Sequence, residues 1–263
     1  MPDSELSRAK ELGFRYPPDH VSLDCIGYMG RVSELRGFIS FFLDIVKGSQ
    51  ALAASLKEES RAAFENEISK YRLVEYKFSA HRQLVNEMML SRSVESFDLY
   101  VLSMLRTVFT AKPEMLKSES SIDAATIIDL KDFNDIISYL AERKMHELSF
   151  KPLSELRAYI KRQTGIDLFV TEEIYEMTVL SSEVRNLIAH NDCRVNDLFL
   201  KRINRLGCKN SLSVEKSGKV IITDEWVRRA SYALDGVVFD FDEAMVRKFG
   251  LATINPAALV DRA

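Results

Sequence analysis

Apolar side chains recur at three- and four-residue intervals along most of the chain, the spacing of amphipathic helices. Val32, Leu35, Phe38, Ile39, Phe42, Leu43 and Val46 predict a helix over 31–56, with Gly48 as a break or kink. A longer helical pattern runs from Glu58 to Leu90, with Ala63, Phe64, Ile68, Tyr71, Val74, Phe78, Leu84, Val85 and Met88 turned inward. Phe97, Leu99, Tyr100, Leu102, Leu105, Val108 and Phe109 mark a strongly amphipathic helix over 96–111. Pro113 ends it, because the residue before a proline avoids the α region. Asp123–Asp129 fits no period and reads as a short extended piece. Helices are expected over 132–148, with Phe133, Ile136, Ile137, Leu140 and Met145 inside, and over 152–163, opened by Pro152 and closed by Gly165. Thr171-Glu172-Glu173 supplies the hydroxyl and the acids of a helix start, and Ile174, Met177, Leu180 and Val184 continue it as an apolar stripe. A short helix over 195–205 follows. The period then drops to two: Ser213-Val214-Glu215 and Lys219-Val220-Ile221-Ile222 flank Ser217-Gly218, a hairpin pattern. Asp224 is expected to cap a last helix to Phe249, with Trp226, Ala230, Ala233, Leu234, Val237, Phe241, Ala244 and Met245 on one face.

The pattern predicts an all-α bundle with a small added β-hairpin near the C-terminus. Composition agrees: Gly and Pro number only 10 and 6, and 46% of residues are hydrophobic, enough for a sizeable core. We expect a lead-in over 1–28, one helical domain over 29–250 and a tail over 251–263. The most apolar run, Phe38–Val46, contains Asp44 and falls far short of the roughly 18 residues that span a membrane, so no membrane partner is expected. Cys25, Cys193 and Cys208 are few and scattered, which suits a reducing cytoplasm. Net charge is −3, from 36 basic and 39 acidic residues. Such a balance excludes a protein that coats nucleic acid through overall charge, so any RNA site must be a local patch.

One stretch carries candidate chemistry. In Ser181–Asp192 the helical stripe of Leu180, Val184, Leu187 and Ile188 is accompanied by Arg185, Asn186 and His190. At about 100° per residue, Glu183, Asn186 and His190 share an arc roughly 60° wide, and Arg185 lies about 140° from His190. Asn186 and His190 are therefore neighbours, and Arg185 joins them only where the helix ends or where a second subunit faces this one. These residue types suit metal-free cleavage of RNA. Histidine takes or gives a proton near neutral pH, arginine forks onto phosphate oxygens, and asparagine holds a phosphate oxygen or orients the imidazole. The plain alternative is a helix C-terminus, where His190 favours the dipole and Asn191 takes the left-handed cap. Arg194, Lys201, Arg202 and Arg205 follow as a basic cluster suited to tracking phosphates, or as an ordinary solvated face. A metal site from His190, Asp192, Cys193 and Cys208 lacks paired cysteine spacing, and none is expected.

The run Arg185-Asn186-Leu187-Ile188-Ala189-His190-Asn191-Asp192 resembles the signature of the HEPN superfamily (higher eukaryote and prokaryote nucleotide-binding domains). That signature is Arg, a few residues, then His, with a polar residue favoured straight after the Arg. The surroundings resemble its bacterial RiboL-PSP-HEPN branch. There an amphipathic helix with a Pro-Glu-x-Leu ending, here Phe97–Leu116, lies upstream, and the motif is followed by Asn-Asp and a short helix. The resemblance covers about residues 60–250. It implies a HEPN-like helical bundle, a homodimer with its motifs facing across a two-fold axis, and metal-independent endoribonuclease activity without a cofactor. Arg185, Asn186 and His190 would be catalytic, with Glu183, Asn191 and Asp192 supporting them. Such enzymes act as toxins, held by an antitoxin or other protein partner, or in defence against phage. Other HEPN domains are non-catalytic and bind RNA, nucleotide or a partner protein.

Overall fold

Helix α3, Arg82–Ala111, is the axis around which four of the longer helices assemble. Its thirty residues contain no glycine or proline, so the helix expected from residue 96 begins at Arg82. Ser93 and Ser96 are buried within it, and Ser96 Oγ donates to the Arg92 carbonyl at 2.8 Å.

The structure is a computed structural model that describes residues 15–55, 58–70, 81–116, 122–130, 132–207 and 211–260. Strand β1 (Val21–Ser22) leads into α1 (Leu23–Ser55) and α2 (Glu58–Lys70). After α3 and a 3-10 turn at Pro113–Leu116 come α4 (Ala124–Asp129), α5 (Phe133–Ser149), α6 (Leu153–Thr164), α7 (Glu172–Asn191) and α8 (Asp197–Ile203). Strands β2 (Ser213–Val214) and β3 (Val220–Ile221) precede α9 (Asp224–Phe249), β4 (Thr253–Ile254) and α10 (Ala257–Val260). The fold is predominantly helical. Among the described residues, no helix is long and apolar enough to cross a membrane.

Helices α1, α5, α7 and α9 pack around α3. Phe97, Tyr100, Met104, Leu105 and Phe109 of α3 are fully buried, as are Leu180 and Val184 of α7 and Leu234 of α9. Each such large side chain contributes about 1.5–3 kcal/mol by leaving water. Carboxylates on α9 enter this core only with donors. Asp242 accepts from the Ser22 amide at 2.9 Å, Ser22 Oγ at 2.5 Å and Tyr100 Oη at 3.1 Å. Asp235 accepts from Tyr28 Oη at 2.7 Å and Arg36 at 2.6 Å. Burial lifts the Asp242 carboxyl above the ordinary aspartate range, against the pull of the Ser22 and Tyr100 bonds.

The chain ends are more integrated than their composition suggests. β1 pairs antiparallel with β4, Val21 opposite Ile254, and α1 starts at Leu23 with Cys25 and Tyr28 buried. The expected lead-in over 1–28 and tail over 251–263 are therefore built into the fold at residues 21–28 and 253–254. Neither two-residue strand carries a period, and their pairing spans most of the chain. Among the described side chains of α1 the buried ones lie in its first third, and the expected inward residues Phe38 and Phe42 are exposed. Leu84 and Met88 also face outward. The inner face of that part of α3 is polar instead, because it holds the hairpin. Gln83 donates to the Val220 carbonyl at 2.9 Å and accepts from the Ile222 amide at 3.0 Å, while Asn86 donates to the Ile222 carbonyl at 2.7 Å. Tyr71, Val74 and Phe78 lie outside the described residues.

Local signals decide the other ends. Asp123 caps Thr126 at 2.9 Å, so the piece expected to be extended is the helix α4. Thr171 caps α7 as expected, and Gly165 closes α6 in the left-handed region. Thr223, not Asp224, caps α9, because the Asp224 carboxylate is taken by Arg82 and Asn86. The expected hairpin is present, with Val214 opposite Val220, and Gly218 turns it at φ +83°.

Candidate functional site

Arg185, Asn186 and His190 all lie in the last two turns of α7. The helix stops just after His190 because the backbone turns left-handed at two successive residues, Asp192 (φ 48°) and Cys193 (φ 58°). Neither is glycine, so this turn is strained and must be held by its surroundings. The Cys193 amide returns to the Leu187 carbonyl at 3.0 Å, the Arg194 amide bonds the Asn191 carbonyl at 2.9 Å, and Asn191 Nδ2 bonds the Arg194 carbonyl at 2.6 Å. The hairpin then clamps the turn: the Val220 amide donates to the Cys193 carbonyl and the Val195 amide to the Gly218 carbonyl, both at 2.9 Å. Asn191 is thus the last helical residue and Asp192 the left-handed cap, one position later than expected. Asn191 and Asp192 serve the turn, since Asp192 also sits 3.7 Å from Lys219.

The side chains of the motif separate as the helical angles require. Arg185 points to α3, where Nη2 donates to Asp98 Oδ2 at 3.0 Å. Both side chains sit at the edge of the seam, 34% and 39% exposed, and Arg185 Nε is buried without a hydrogen-bond partner. On another flank, Glu183 is paired with Arg202 of α8 at 3.0 Å. The side chains of Asn186 and His190, one turn apart on that flank, make no hydrogen bond among the described residues, and His190 is exposed. The chain therefore brings Asn186 and His190 together and holds Arg185 apart from them.

The basic cluster divides likewise. Arg202 is taken by Glu183, and Arg194 donates to the Ser217 carbonyl at 2.9 Å with Asp192 at 3.6 Å. Lys201 and Arg205 are exposed and make no ion pair among the described residues, so they are the cations open to an anion. Of the metal ligands weighed from sequence, Cys208 lies outside the described residues. Cys193 is buried, which pushes its thiol up to about 11. Among the described residues, no group of three or more His, Cys, Asp or Glu side chains is placed to hold a metal ion.

Asp98 is the member of this site that a motif reading misses. Burial pushes its carboxyl up to about 6, with Arg185 opposing and Glu95 adding to the rise. The signal was present in the sequence. On α3, Asp98 falls within the arc of Val94, Val101 and Leu105, and a carboxylate inside an apolar arc needs a partner. Because the folded value lies above the ordinary 3.8, stability tied to Asp98 is fully present below pH 3.8 and is lost as the pH rises through 6. Between pH 5 and 7.5 the wild type should therefore lose stability relative to Asp98→Asn. The side chain is 39% exposed, so solvent screening reduces the difference to about 1 kcal/mol. Thermal melts of both proteins at the two pH values should show it as a relative shift of about 2–4 °C.

Set against protein-family models, curated proteins and solved structures, the chain matches none of them.

Proposed function

We propose that this protein is a metal-independent endoribonuclease of the HEPN type that works as a homodimer. The observation that carries this reading is the end of α7. There a strained, clamped turn presents His190 to solvent beside Asn186, with neither side chain hydrogen-bonded to a described residue, while Asp98 holds Arg185 on another flank. Backbone strain held this tightly is often found at functional sites. His190 takes the proton from a ribose 2′-OH, whose oxygen attacks the adjacent phosphorus. The 5′-oxygen leaves and is protonated by the second histidine of the dimer. Arg185 stabilises charge on the phosphate, and Asn186 positions the phosphate or the imidazole. The products are a 2′,3′-cyclic phosphate and a 5′-OH. Two motifs facing across a two-fold axis answer the angular separation of Arg185 and His190 within one helix. Lys201 and Arg205 guide the RNA, with Arg194 and Arg202 behind them. The reading places the enzyme in the cytoplasm as a toxin or antiphage effector, with an antitoxin or other protein as its partner.

A second reading is a non-catalytic module that binds RNA, nucleotide or a partner protein. Its support is that Asp98 neutralises Arg185 and Glu183 neutralises Arg202, which leaves less positive charge for phosphate. Incubation of the purified protein with total RNA and tRNA in EDTA, followed by end mapping, separates the two. Cleavage leaving cyclic phosphate ends is expected. RNA binding without cleavage by a folded dimer supports the module, and cleavage only on adding a divalent metal defeats the mechanism.

A further inference from the structure

The Asp98–Arg185 pair joins the motif to the central helix, and it is a poor device for stability. A half-exposed ion pair contributes little, and at this one the carboxyl is driven upward by burial. Its geometry suits another purpose. Asp98 takes one nitrogen of the guanidinium, Nη2, so the pair is monodentate. Arginine carries five N–H donors; the pair occupies one, the Nε donor is buried, and Nη1 carries the ones left unpaired. Asp98 is itself well anchored, because the preceding side chain, Phe97, is fully buried. The nearest carboxylate on the same helix, Glu95, is occupied by Arg92 at 2.5 Å and does not compete for Arg185. An unanchored arginine at the edge of a helix seam samples many rotamers, and ordering it only in the transition state costs entropy.

We propose that Asp98 is a positioning residue of the ribonuclease: it fixes Arg185 at the seam of α3 and α7, with Nε buried in the seam and Nη1 left to meet the RNA phosphate. This rests on the nuclease reading above. It is the arrangement in which a residue behind the site holds a catalytic group in place.

The test is cleavage kinetics on a defined RNA oligonucleotide with wild type, Asp98→Ala, Asp98→Asn, Asp98→Glu, Arg185→Ala and the Asp98→Ala/Arg185→Ala double variant, each with a melting midpoint. Misplacing a charge-stabilising group lowers kcat by about 10–100-fold. That fall is expected for Asp98→Ala and Asp98→Asn, with KM and melting midpoint little changed. Asp98→Glu should recover part of the rate, and the double variant should be no slower than Arg185→Ala alone. A rate for Asp98→Ala and Asp98→Asn equal to or above wild type overturns the positioning role and leaves the nuclease standing. In the faster case Asp98 would be holding Arg185 off. A double variant slower than either single also overturns it, since the two residues would then act independently. No cleavage by a folded wild-type dimer removes the nuclease and the positioning role together.

Discussion

Replacing His190 by alanine should lower RNA cleavage by about a thousandfold, within the range for removing a general acid or base. The melting midpoint should stay within a few degrees. The two readouts separate because of where the residue sits. His190 is exposed in the last turn of α7, and its side chain makes no hydrogen bond among the described residues. Truncating such a side chain usually changes stability by less than about 0.5 kcal/mol. Alanine favours the helix, which offsets the loss of a histidine near the helix C-terminus. A structural role for His190 would give the opposite pattern, a drop in midpoint accompanied by lost activity. Cleavage surviving in a His190→Ala protein at more than a tenth of the wild-type rate would remove the histidine from the mechanism. Asn186→Ala should fall between the two, because an orienting residue slows the step without supplying its proton transfer.

What could be read from the sequence follows the range of the interactions. The cap at Thr171, the stop at Gly165 and the hairpin turn at Gly218 depend on neighbours a few residues away, and each is where its local signal puts it. The pairing of Val21 with Ile254 depends on residues at opposite ends of the chain and leaves no local trace. The motif shows the same division. The angles on one helix already separate Arg185 from His190, and α7 keeps that separation. That Arg185 meets Asp98, or that Arg202 meets Glu183, requires knowing which helices are adjacent. The failures at Leu84 and Met88 have the same origin. A helical stripe states which residues share a face, and here the hairpin claimed a neighbouring face through Gln83 and Asn86. Exposed Phe38 and Phe42 repeat the point on α1: the stripe is present, and among its described side chains the last buried one is Val32.

Phe97→Ala should have the largest effect on folding. Phe97 is fully buried on α3, the helix against which α1, α5, α7 and α9 pack. Its truncation removes the apolar area of a ring and leaves a cavity in the packed core, a combination that costs about 3–5 kcal/mol. Domains of this kind hold only about 5–15 kcal/mol in total, so the variant should melt about 10 °C or more below wild type. Leu99→Ala, two residues along the same helix, supplies the contrast. Leu99 is 47% exposed, and its loss should shift the midpoint by no more than about 2 °C. Equal losses at the two positions would mean that α3 is not packed as described. The position also reaches the site. Asp98 follows Phe97 directly, so a cavity at Phe97 loosens the backbone that aims the carboxylate at Arg185. Phe97→Leu keeps most of the volume and should cost about 1–1.5 kcal/mol. At a temperature where that variant is fully folded, cleavage should still be slower than wild type, because the carboxylate behind Arg185 is held only as firmly as the ring beside it.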